Sequence, residues 1–241
     1  MQIYSKIDIG KVRHSNQDAY FAVTLDDESA FVIVCDGMGG ANAGNVASAT
    51  AIKIISDYVL RSYLPSMDDD AISNMLKGAV ISANIDIYDM SLNNFDLAGM
   101  GTTVVTALIR KKKAIICHVG DSRAYKINVD IEQLTRDHSM VQSLLESGKL
   151  TQEQARTHPK KNIITRALGA DDNLACDICE SEVKKGDLFV FCTDGLSNYV
   201  DATEILKIFK SNVINDLPSV LIDAANGNGG GDNITVVIVA V

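Results

Sequence analysis

The chain has 241 residues, of which 46% are hydrophobic and 22% are charged. These proportions are typical of a folded protein with one sizeable domain, and they exclude extensive disorder. With 22 basic and 31 acidic residues, the formal net charge is −9, which argues against a general nucleic-acid binder because Lys and Arg hold phosphate backbones.

Short apolar runs that are rich in β-branched residues and bounded by Gly, Asp, Asn or charged residues predict strands. In chain order, the predicted strands are residues 3–9, 19–25, 30–35, 102–109, 114–119, 124–127, 187–192 and 233–240. Apolar residues at spacings of three and four predict helices between them. The predicted helices are residues 42–60, 68–88, 140–147, 151–157, 202–209 and 217–225.

The order of these elements predicts an α+β fold. Hairpins outnumber β-α-β units, and most helices come in adjacent pairs, which favours helical layers over antiparallel sheets rather than a doubly wound parallel sheet. Residues 138–168 differ, because two short helices are followed there by the basic turn His158-Pro159-Lys160-Lys161. We interpret this segment as a small insertion or lid within a single domain that spans residues 1–241.

The first residues lack the basic start and apolar run of a signal peptide, and no apolar run reaches the ~18 residues of a membrane span. The five cysteines are an odd number and mostly lie in apolar runs. This pattern favours the buried thiols of a reduced protein over a disulfide framework. We therefore expect a cytoplasmic protein without a membrane segment.

Two predicted strands end in the same way, with an Asp followed by a Gly. Asp36-Gly37 follows residues 30–35, and Asp194-Gly195 follows residues 187–192. A single Asp-Gly pair is usually a turn. Two pairs after matched strands favour a functional role, because an Asp at a strand end is held rigidly, as a metal ligand must be.

Three more carboxylates occupy similar positions: Asp18 precedes a strand, Asp121 lies in a turn between two strands, and Asp232 precedes the last strand. Each one alone is better explained as a turn residue. Five together predict an all-oxygen metal site for Mg²⁺ or Mn²⁺ (or Ca²⁺) rather than Zn²⁺. Their spacing does not match the 12-residue calcium-binding loop.

The chemistry that such a site favours is phosphate-ester hydrolysis. Two divalent ions ~3.5–4 Å apart can share one water, lower its pKa and neutralise charge on a phosphate. Arg13, five residues before Asp18, is suited to hold phosphate oxygens with two parallel hydrogen bonds. The alternative for Arg13 is an ordinary surface salt bridge.

Eight short motifs in order carry a resemblance that covers essentially the whole chain. They are Arg13-x-x-Asn16-Gln17-Asp18, Asp36-Gly37-Met38-Gly39-Gly40, Gly101-Thr102-Thr103, Gly120-Asp121-Ser122-Arg123, Asp137-His138, Thr165-Arg166-Ala167-Leu168-Gly169, Thr193-Asp194-Gly195 and Gly231-Asp232-Asn233. The chain resembles the metal-dependent Ser/Thr protein phosphatases of the type 2C class, and most closely their short bacterial members. The resemblance implies a four-layer α-β-β-α sandwich with two central, mainly antiparallel sheets.

The resemblance also implies a role for each residue. Asp36 would bridge two Mn²⁺ or Mg²⁺ ions, Gly37 would offer its carbonyl to one of them, and Asp194 and Asp232 would bind the other. Asp18 would be an outer ligand acting through water. Asp121, with Asp194, would hold a third and weaker ion. Arg13 would bind the phosphate, and residues 138–168 would form the flap beside the active site.

One motif position departs from part of that family. Some members have His at the position of Met38 and use it as the general acid, and a thioether cannot donate a proton. Met is usual in the bacterial branch, so activity is still expected. The general acid is left open between metal-bound water and a nearby His such as His14 or His138.

The expected activity is hydrolysis of phosphoserine and phosphothreonine in proteins by direct attack of the activated water, opposing a Ser/Thr kinase. The expected partners are phosphorylated proteins and a cognate kinase, with no nucleic acid and no membrane, and the expected state is a monomer. Two alternatives are kept: a catalytically silent module that sequesters phosphoproteins, and a dedicated phosphatase of a sigma-factor regulatory protein. The pair Cys176-x-x-Cys179 has neither a helix start nor a second ligand pair beside it, which argues against a redox or zinc site.

Overall fold

The computed structural model describes residues 1–26, 28–40 and 43–241. Over these residues the strands are β1 (Gln2–Asp8), β2 (Asp18–Asp26), β3 (Ser29–Met38), β4 (Gly101–Thr102), β5 (Val104–Ile109), β6 (Lys113–Val119), β7 (Arg123–Ile127), β8 (Ile131–Gln133), β9 (Asp177–Glu182), β10 (Leu188–Cys192) and β11 (Ile234–Ala240). The helices are α1 (Ala43–Ser62), α2 (Asp69–Asn93), α3 (Met140–Glu146), α4 (Gln152–Arg156), α5 (Asp194–Ser197), α6 (Ala202–Ser211) and α7 (Leu217–Gly227). None of the helices within the described ranges is both long enough and apolar enough to cross a membrane.

The strands form two antiparallel sheets. One sheet has the order β1-β11-β10-β7-β8, and the other has the order β2-β3-β5-β6-β9 with β4 paired to the end of β3. The β6–β7 turn carries the chain from the second sheet to the first. Residues at that turn therefore lie where the two sheets meet.

Three apolar cores separate four layers. Alternate residues of β3 face different cores: Phe31 and Ile33 pack against α1 and α2, whereas Val32 and Val34 face the other sheet. A third core lies between the β1–β8 sheet and α5 to α7. Both sheets are covered on both faces, which explains why the central strands are almost continuously apolar. The predicted α-β-β-α sandwich is confirmed.

All eight predicted strands are present, but β8 and β9 were not predicted. The strand β9 lies at the edge of its sheet, and three of its six residues are acidic, two of them exposed. Such a charged edge gives a weak strand signal. Cys179 lies in β9 and Cys176 just before it, and the two pack on opposite faces, against different cores. The pair therefore forms no shared site.

The predicted helices are also present, with small shifts at their ends. The helix α2 begins after Asp68, whose side chain accepts the Ala71 N–H at 2.8 Å, and it extends five residues beyond the predicted end at Tyr88. The predicted start of α1 at Asn42 lies outside the described residues.

Asn84 of α2 connects this helix to the loop beside the β3–β4 pair. Its side chain is fully buried, its Oδ1 accepts the Gly169 N–H at 2.8 Å, and its Nδ2 donates to the Asp171 carbonyl at 2.9 Å. We expect Asn84→Ala to lower the free energy of unfolding by about 2 kcal/mol, since two buried backbone groups lose their partners. Urea denaturation measures this effect.

The matched control is Asn93→Ala, at the exposed end of the same helix, where the side chain bonds only the Asp89 carbonyl. This substitution should change the free energy of unfolding by less than about 0.5 kcal/mol. An equal loss in both variants would contradict the assigned role of Asn84.

Candidate active site

The β2–β3 hairpin places two of the predicted carboxylates side by side. Asp18 is the first residue of β2 and pairs directly with Asp36 on β3, so both side chains leave the same face of the sheet. Asp36 lies inside β3 rather than after it, and its backbone is fixed from the next segment. Its N–H donates to Thr103 Oγ1 at 3.0 Å, and its carbonyl accepts the Thr103 N–H at 2.9 Å.

The other sheet contributes Asp194 and Asp232 from adjacent antiparallel strands. Asp194 follows β10 and Asp232 precedes β11, so both lie at the same end of this antiparallel strand pair, along one edge of the sheet. Two hydroxyls connect this edge to Asp18: its Oδ2 accepts from Thr193 Oγ1 at 2.9 Å and from Thr235 Oγ1 at 2.7 Å. These bonds join the two sheets at the site.

Asp121 lies in the β6–β7 turn, where the chain crosses between the sheets. The residue before it, Gly120, has φ +102°, and a Cβ there would lie 2.6 Å from Thr103 Cγ2. Only Gly fits both the backbone conformation and the close contact. The turn therefore sets Asp121 beside the segment that holds Asp36.

Burial and mutual repulsion dominate the electrostatics of the carboxylates. Burial raises the pKa of Asp18 to about 7 and the pKa of Asp121 to about 8, and the neighbouring Asp194 carboxylate adds to both rises. Burial also raises the pKa of Asp36 and of Asp194, again with a contribution from the other carboxylates. Such crowding favours the binding of cations.

Two buried oxygens within this cluster, Oδ1 of Asp18 and Oδ1 of Asp194, have no hydrogen-bond partner among residues 1–26, 28–40 and 43–241. An unpartnered buried carboxylate oxygen is costly unless a cation completes it. The donors are all oxygens, which suits Mg²⁺ or Mn²⁺. The residues present therefore fit a hard divalent metal centre.

Within the described part of the chain, three metal-type ligand atoms come within 4.8 Å of one another only at His118, His138 and Asp177. The five Asp residues do not bring three carboxylate oxygens that close together. Such a site suits ions that keep several of their waters, as Mg²⁺ does.

Gly37 is held between two backbone segments. Its N–H donates to the Gln17 carbonyl at 3.1 Å, and its carbonyl oxygen lies against Gly44 at the start of α1, where an added Cβ would be 2.8 Å away. Gly37 has no positive φ, so its Gly is explained by close backbone approach, not by the turn that the sequence suggested. The same holds for Gly195, where a Cβ would lie 1.8 Å from the Asn233 carbonyl oxygen.

Arg13 reaches the cluster from the loop between β1 and β2. Its Nη2 donates to Asp232 Oδ2 at 2.8 Å, and about half of the side chain is exposed. The hydrogen bond to Asp232 raises the pKa of Arg13. The loop itself is fixed by Asn233, which accepts the Gln17 N–H at 2.8 Å and donates to the Ile9 and Ser15 carbonyls.

Several residues that support the site were not predicted as functional. Thr103, Thr193, Thr235 and Asn233 orient the carboxylates or their backbone, and Asn198 Nδ2 donates to Asp194 Oδ2 at 2.8 Å. Three of them lie inside the recognised motifs, but hydroxyl and amide partners distant in sequence leave no local pattern. Of the two candidate histidines, His14 is exposed, whereas His138 is buried and hydrogen-bonded.

A cleft of about 460 Å³ opens from the carboxylates between residues 138–168 and the α5–α6 region. Asp121 and Asp194 line it, together with Arg156, Lys161 and Asp201 among others. Arg156 Nη1 pairs with Asp201 Oδ2 at 3.2 Å across the cleft. The cleft is therefore bounded on one side by the predicted flap.

Comparison with known proteins is consistent with this geometry. The family model of protein phosphatase 2C matches residues 11–217. A serine/threonine phosphatase stp of Listeria monocytogenes serotype 4b (strain F2365) is 39% identical over 236 residues, covering 97% of this chain and 93% of the relative. The chain belongs to the protein phosphatase 2C family and is a serine/threonine phosphatase.

Solved structures agree with this assignment. The serine/threonine phosphatase Stp1 from Staphylococcus aureus has a TM-score of 0.94 and 34% identity, covering 100% of this chain and 94% of that one. The catalytic domain of the serine threonine protein phosphatase PstP, solved in complex with two manganese ions, has a TM-score of 0.86 and 30% identity, covering 98% and 96%. The predicted family, fold and enzyme class are confirmed.

Proposed function

We propose that this phosphatase hydrolyses phosphoserine and phosphothreonine in proteins by direct attack of water at a two-ion Mn²⁺ or Mg²⁺ centre. The observation that carries the proposal is the paired Asp18 and Asp36 facing Asp194 and Asp232 across the two sheets, with two buried oxygens lacking partners. The manganese complex of the PstP relative supports the choice of ion.

Each carboxylate has a proposed position in that centre. Asp36 would hold both ions, the Gly37 carbonyl would contribute to one, and Asp194 and Asp232 would hold the other. Asp18 acts through water, and its two threonine bonds at Oδ2 leave Oδ1 directed to that task. Asp121, together with Asp194, holds a third and weaker ion.

Bound divalent ions would supply a water of lowered pKa and positive charge against the phosphoryl oxygens. Arg13 binds those oxygens through the guanidinium nitrogens that Asp232 does not use. Asp232 orients the guanidinium through Nη2, and about half of the Arg13 side chain stays exposed. Met38 donates no proton, and His138 Nε2 already faces the Asp177 carboxylate.

We further propose that residues 1–241 act as one catalytic domain and that residues 138–168 form a flap. The cleft of about 460 Å³ between this flap and the α5–α6 region is the proposed place for the peptide around the phosphorylated residue. The proposed partners are phosphorylated proteins and a Ser/Thr kinase whose action the enzyme opposes. The cytoplasmic location and the monomeric state predicted from the sequence stay predictions.

Hydrolysis assays test the proposal. A phosphothreonine peptide and p-nitrophenyl phosphate are incubated with Mn²⁺, with Mg²⁺ and with excess chelator. Turnover that requires a divalent ion and shows no burst of product is expected. Full turnover in chelator would overturn the metal mechanism, and saturable peptide binding without turnover would favour a silent binding module.

Substitution of Arg13 tests the proposed phosphate contact. We expect Arg13→Ala to lower kcat/KM for the phosphopeptide by about 10- to 100-fold, mainly through KM, since a hydrogen bond to a charged group is worth about 1.5–3 kcal/mol. The kcat/KM of Arg13→Lys should lie between those of the wild type and Arg13→Ala, because lysine keeps the charge but lacks the planar guanidinium group. Initial-rate kinetics measure both parameters.

The control is Lys11→Ala, which removes a cation from the same loop without touching Asp232. Native kcat/KM is expected for this variant. A loss as large as that of Arg13→Ala would show that general charge, not a specific contact, binds the substrate.

A further inference from the structure

His138 binds the turn that carries Asp121 at two points. Its ring atom Nδ1 accepts the Gly120 N–H at 3.1 Å, and the backbone N–H of His138 donates to the Gly120 carbonyl at 2.9 Å. Gly120 directly precedes Asp121, and both of its backbone polar groups are bound by this one residue. The His138 side chain is buried, so water does not readily replace these bonds.

The His138 ring is itself held from the opposite edge. Because Nδ1 accepts a hydrogen bond, the neutral ring carries its proton on Nε2. That atom lies 3.2 Å from Asp177 Oδ2 and also 3.2 Å from Arg166 Nη1. With the proton on Nε2 both nitrogens are donors, and they share the Asp177 carboxylate, since Arg166 Nη1 donates to Asp177 Oδ1 at 2.9 Å. Burial lowers the pKa of His138, with Asp177 opposing the shift, and this favours the neutral ring that Gly120 requires.

The two residues before His138 contact the strands on either side of this turn. The Arg136 carbonyl accepts from His118 Nε2 at 3.0 Å, and the Asp137 carboxylate receives Arg123 Nε and Nη2 at 3.0 and 2.6 Å. Three successive residues therefore attach the chain to the end of β6, to the Gly120 turn and to the start of β7.

A metal site at His118, His138 and Asp177 is the alternative use of these groups, because one ligand atom of each lies within 4.8 Å of the others. The two imidazole rings are stacked, with centroids 4.9 Å apart and an interplanar angle of 18°. Lone pairs lie in the ring planes, so stacked rings do not direct them at a common ion. The Asp177 carboxylate is also already paired with Arg166.

We propose that His138 is a positioning residue for Asp121. It holds Gly120 through Nδ1, while Asp177 orients the ring through Nε2. The carbonyl of His138 accepts the Thr165 N–H at 2.8 Å, which joins the two ends of residues 138–168. The Asp121 turn and both ends of the proposed flap thus form one hydrogen-bonded unit. The catalytic consequence rests on the proposed role of Asp121 as a metal ligand.

Two variants of His138 separate the two edges of the ring. His138→Asn places an amide oxygen near the position of Nδ1, so the Gly120 N–H keeps an acceptor. His138→Gln reaches towards Asp177 instead and leaves the Gly120 N–H without its side-chain partner. The readout is hydrogen exchange of the Gly120 amide by NMR, in protein treated with chelator, so that it does not depend on bound metal.

We expect Gly120 exchange to rise about tenfold in His138→Gln and to stay within about threefold of native in His138→Asn. The amide of residue 138 is an internal reference, since its bond to the Gly120 carbonyl remains in both variants. Asp177→Ala keeps the experiment decisive if a His138 variant fails to fold. In this variant we expect a smaller rise in Gly120 exchange, because the ring stays in place but loses its partner at Nε2.

His158→Gln is the matched control. His158 also accepts a backbone N–H through Nδ1, from Lys160 at 3.1 Å, but it lies within the proposed flap, away from the Gly120 turn. Native exchange at Gly120 is expected in this variant. Native exchange at Gly120 in folded His138→Gln, or a zinc ion bound in wild type and lost in Asp177→Ala, would overturn the proposal.

The catalytic consequence is tested by titrating Mn²⁺ in the phosphopeptide assay. The Mn²⁺ concentration for half-maximal activity should rise in His138→Gln and in Asp121→Asn, with partial recovery in His138→Asn. A native Mn²⁺ requirement in His138→Gln alone would overturn the positioning role. A native requirement in Asp121→Asn would instead overturn the proposed role of Asp121 itself, which distinguishes the two failures.

Discussion

Asp36→Asn is expected to abolish metal-dependent hydrolysis while leaving the fold intact. Asp36 is the one carboxylate proposed to contact both ions, and its backbone is fixed by Thr103 on both sides. An amide keeps the shape but loses the negative charge that holds two cations. We expect kcat/KM for a phosphothreonine peptide to fall by about three orders of magnitude.

The same substitution should not weaken the metal-free protein. Asp36 is repelled by Asp18, Asp194, Asp121 and Asp232, so removal of one charge relieves crowding. The melting temperature in chelator should be unchanged or higher, whereas the stabilisation gained on adding Mn²⁺ should shrink. Differential scanning fluorimetry with and without Mn²⁺ measures both changes.

Asp26→Asn is the control, because Asp26 lies at the far end of the same β2–β3 hairpin. It accepts the Glu28 N–H at 2.8 Å, which an Asn side chain can also do. Native activity is expected. Activity retained by Asp36→Asn in the presence of Mn²⁺ would contradict a bridging role for Asp36.

Gly37→Ala is expected to damage both the fold and the site. A Cβ at Gly37 would lie 2.1 Å from the Gly44 carbonyl oxygen and 2.5 Å from the Gln17 carbonyl oxygen. Both atoms belong to backbone, so neither moves without displacing α1 or the loop before β2. We expect the free energy of unfolding to fall by about 3–5 kcal/mol, together with loss of activity, as measured by urea denaturation and peptide hydrolysis.

Gly40→Ala is the matched control in the same Gly-rich motif. A Cβ at Gly40 would meet no atom of the described residues within 4 Å, and its backbone has no positive φ. The free energy of unfolding should change by less than about 0.5 kcal/mol. Comparable losses in the two variants would show that the motif needs flexibility rather than close backbone approach at Gly37.

The sequence predicts the strands of the core well because these strands are buried on both faces. Residues 30–35 and 188–192 are continuous apolar runs, since each side of the strand packs on a different core. The edge strand β9 lacks that signal because its Glu180 and Glu182 side chains are exposed to solvent. Burial, more than local propensity, determined which strands were predicted.

The carboxylates of the site were identifiable because each stands beside a strand, often with Gly or Asn. The residues that hydrogen-bond to these carboxylates were not identifiable from the sequence. The Thr193 and Thr235 hydroxyls reach Asp18 from residues more than 170 positions away in the chain. Nothing local in the sequence links His138 to Gly120 either, since the β7–β8 hairpin, which returns the chain to the Gly120 turn, forms only in the folded sheet.

Anomalous X-ray diffraction from crystals soaked in Mn²⁺ tests the central claim most directly, because it locates each ion without reference to activity. The account predicts two strong peaks on either side of the Asp36 carboxylate, one also bounded by Asp194 and Asp232, and a weaker third peak near Asp121. In Asp36→Asn crystals the two strong peaks should disappear. Absence of a peak at Asp36 in the wild-type crystals, or a single peak confined to His118, His138 and Asp177, would contradict it.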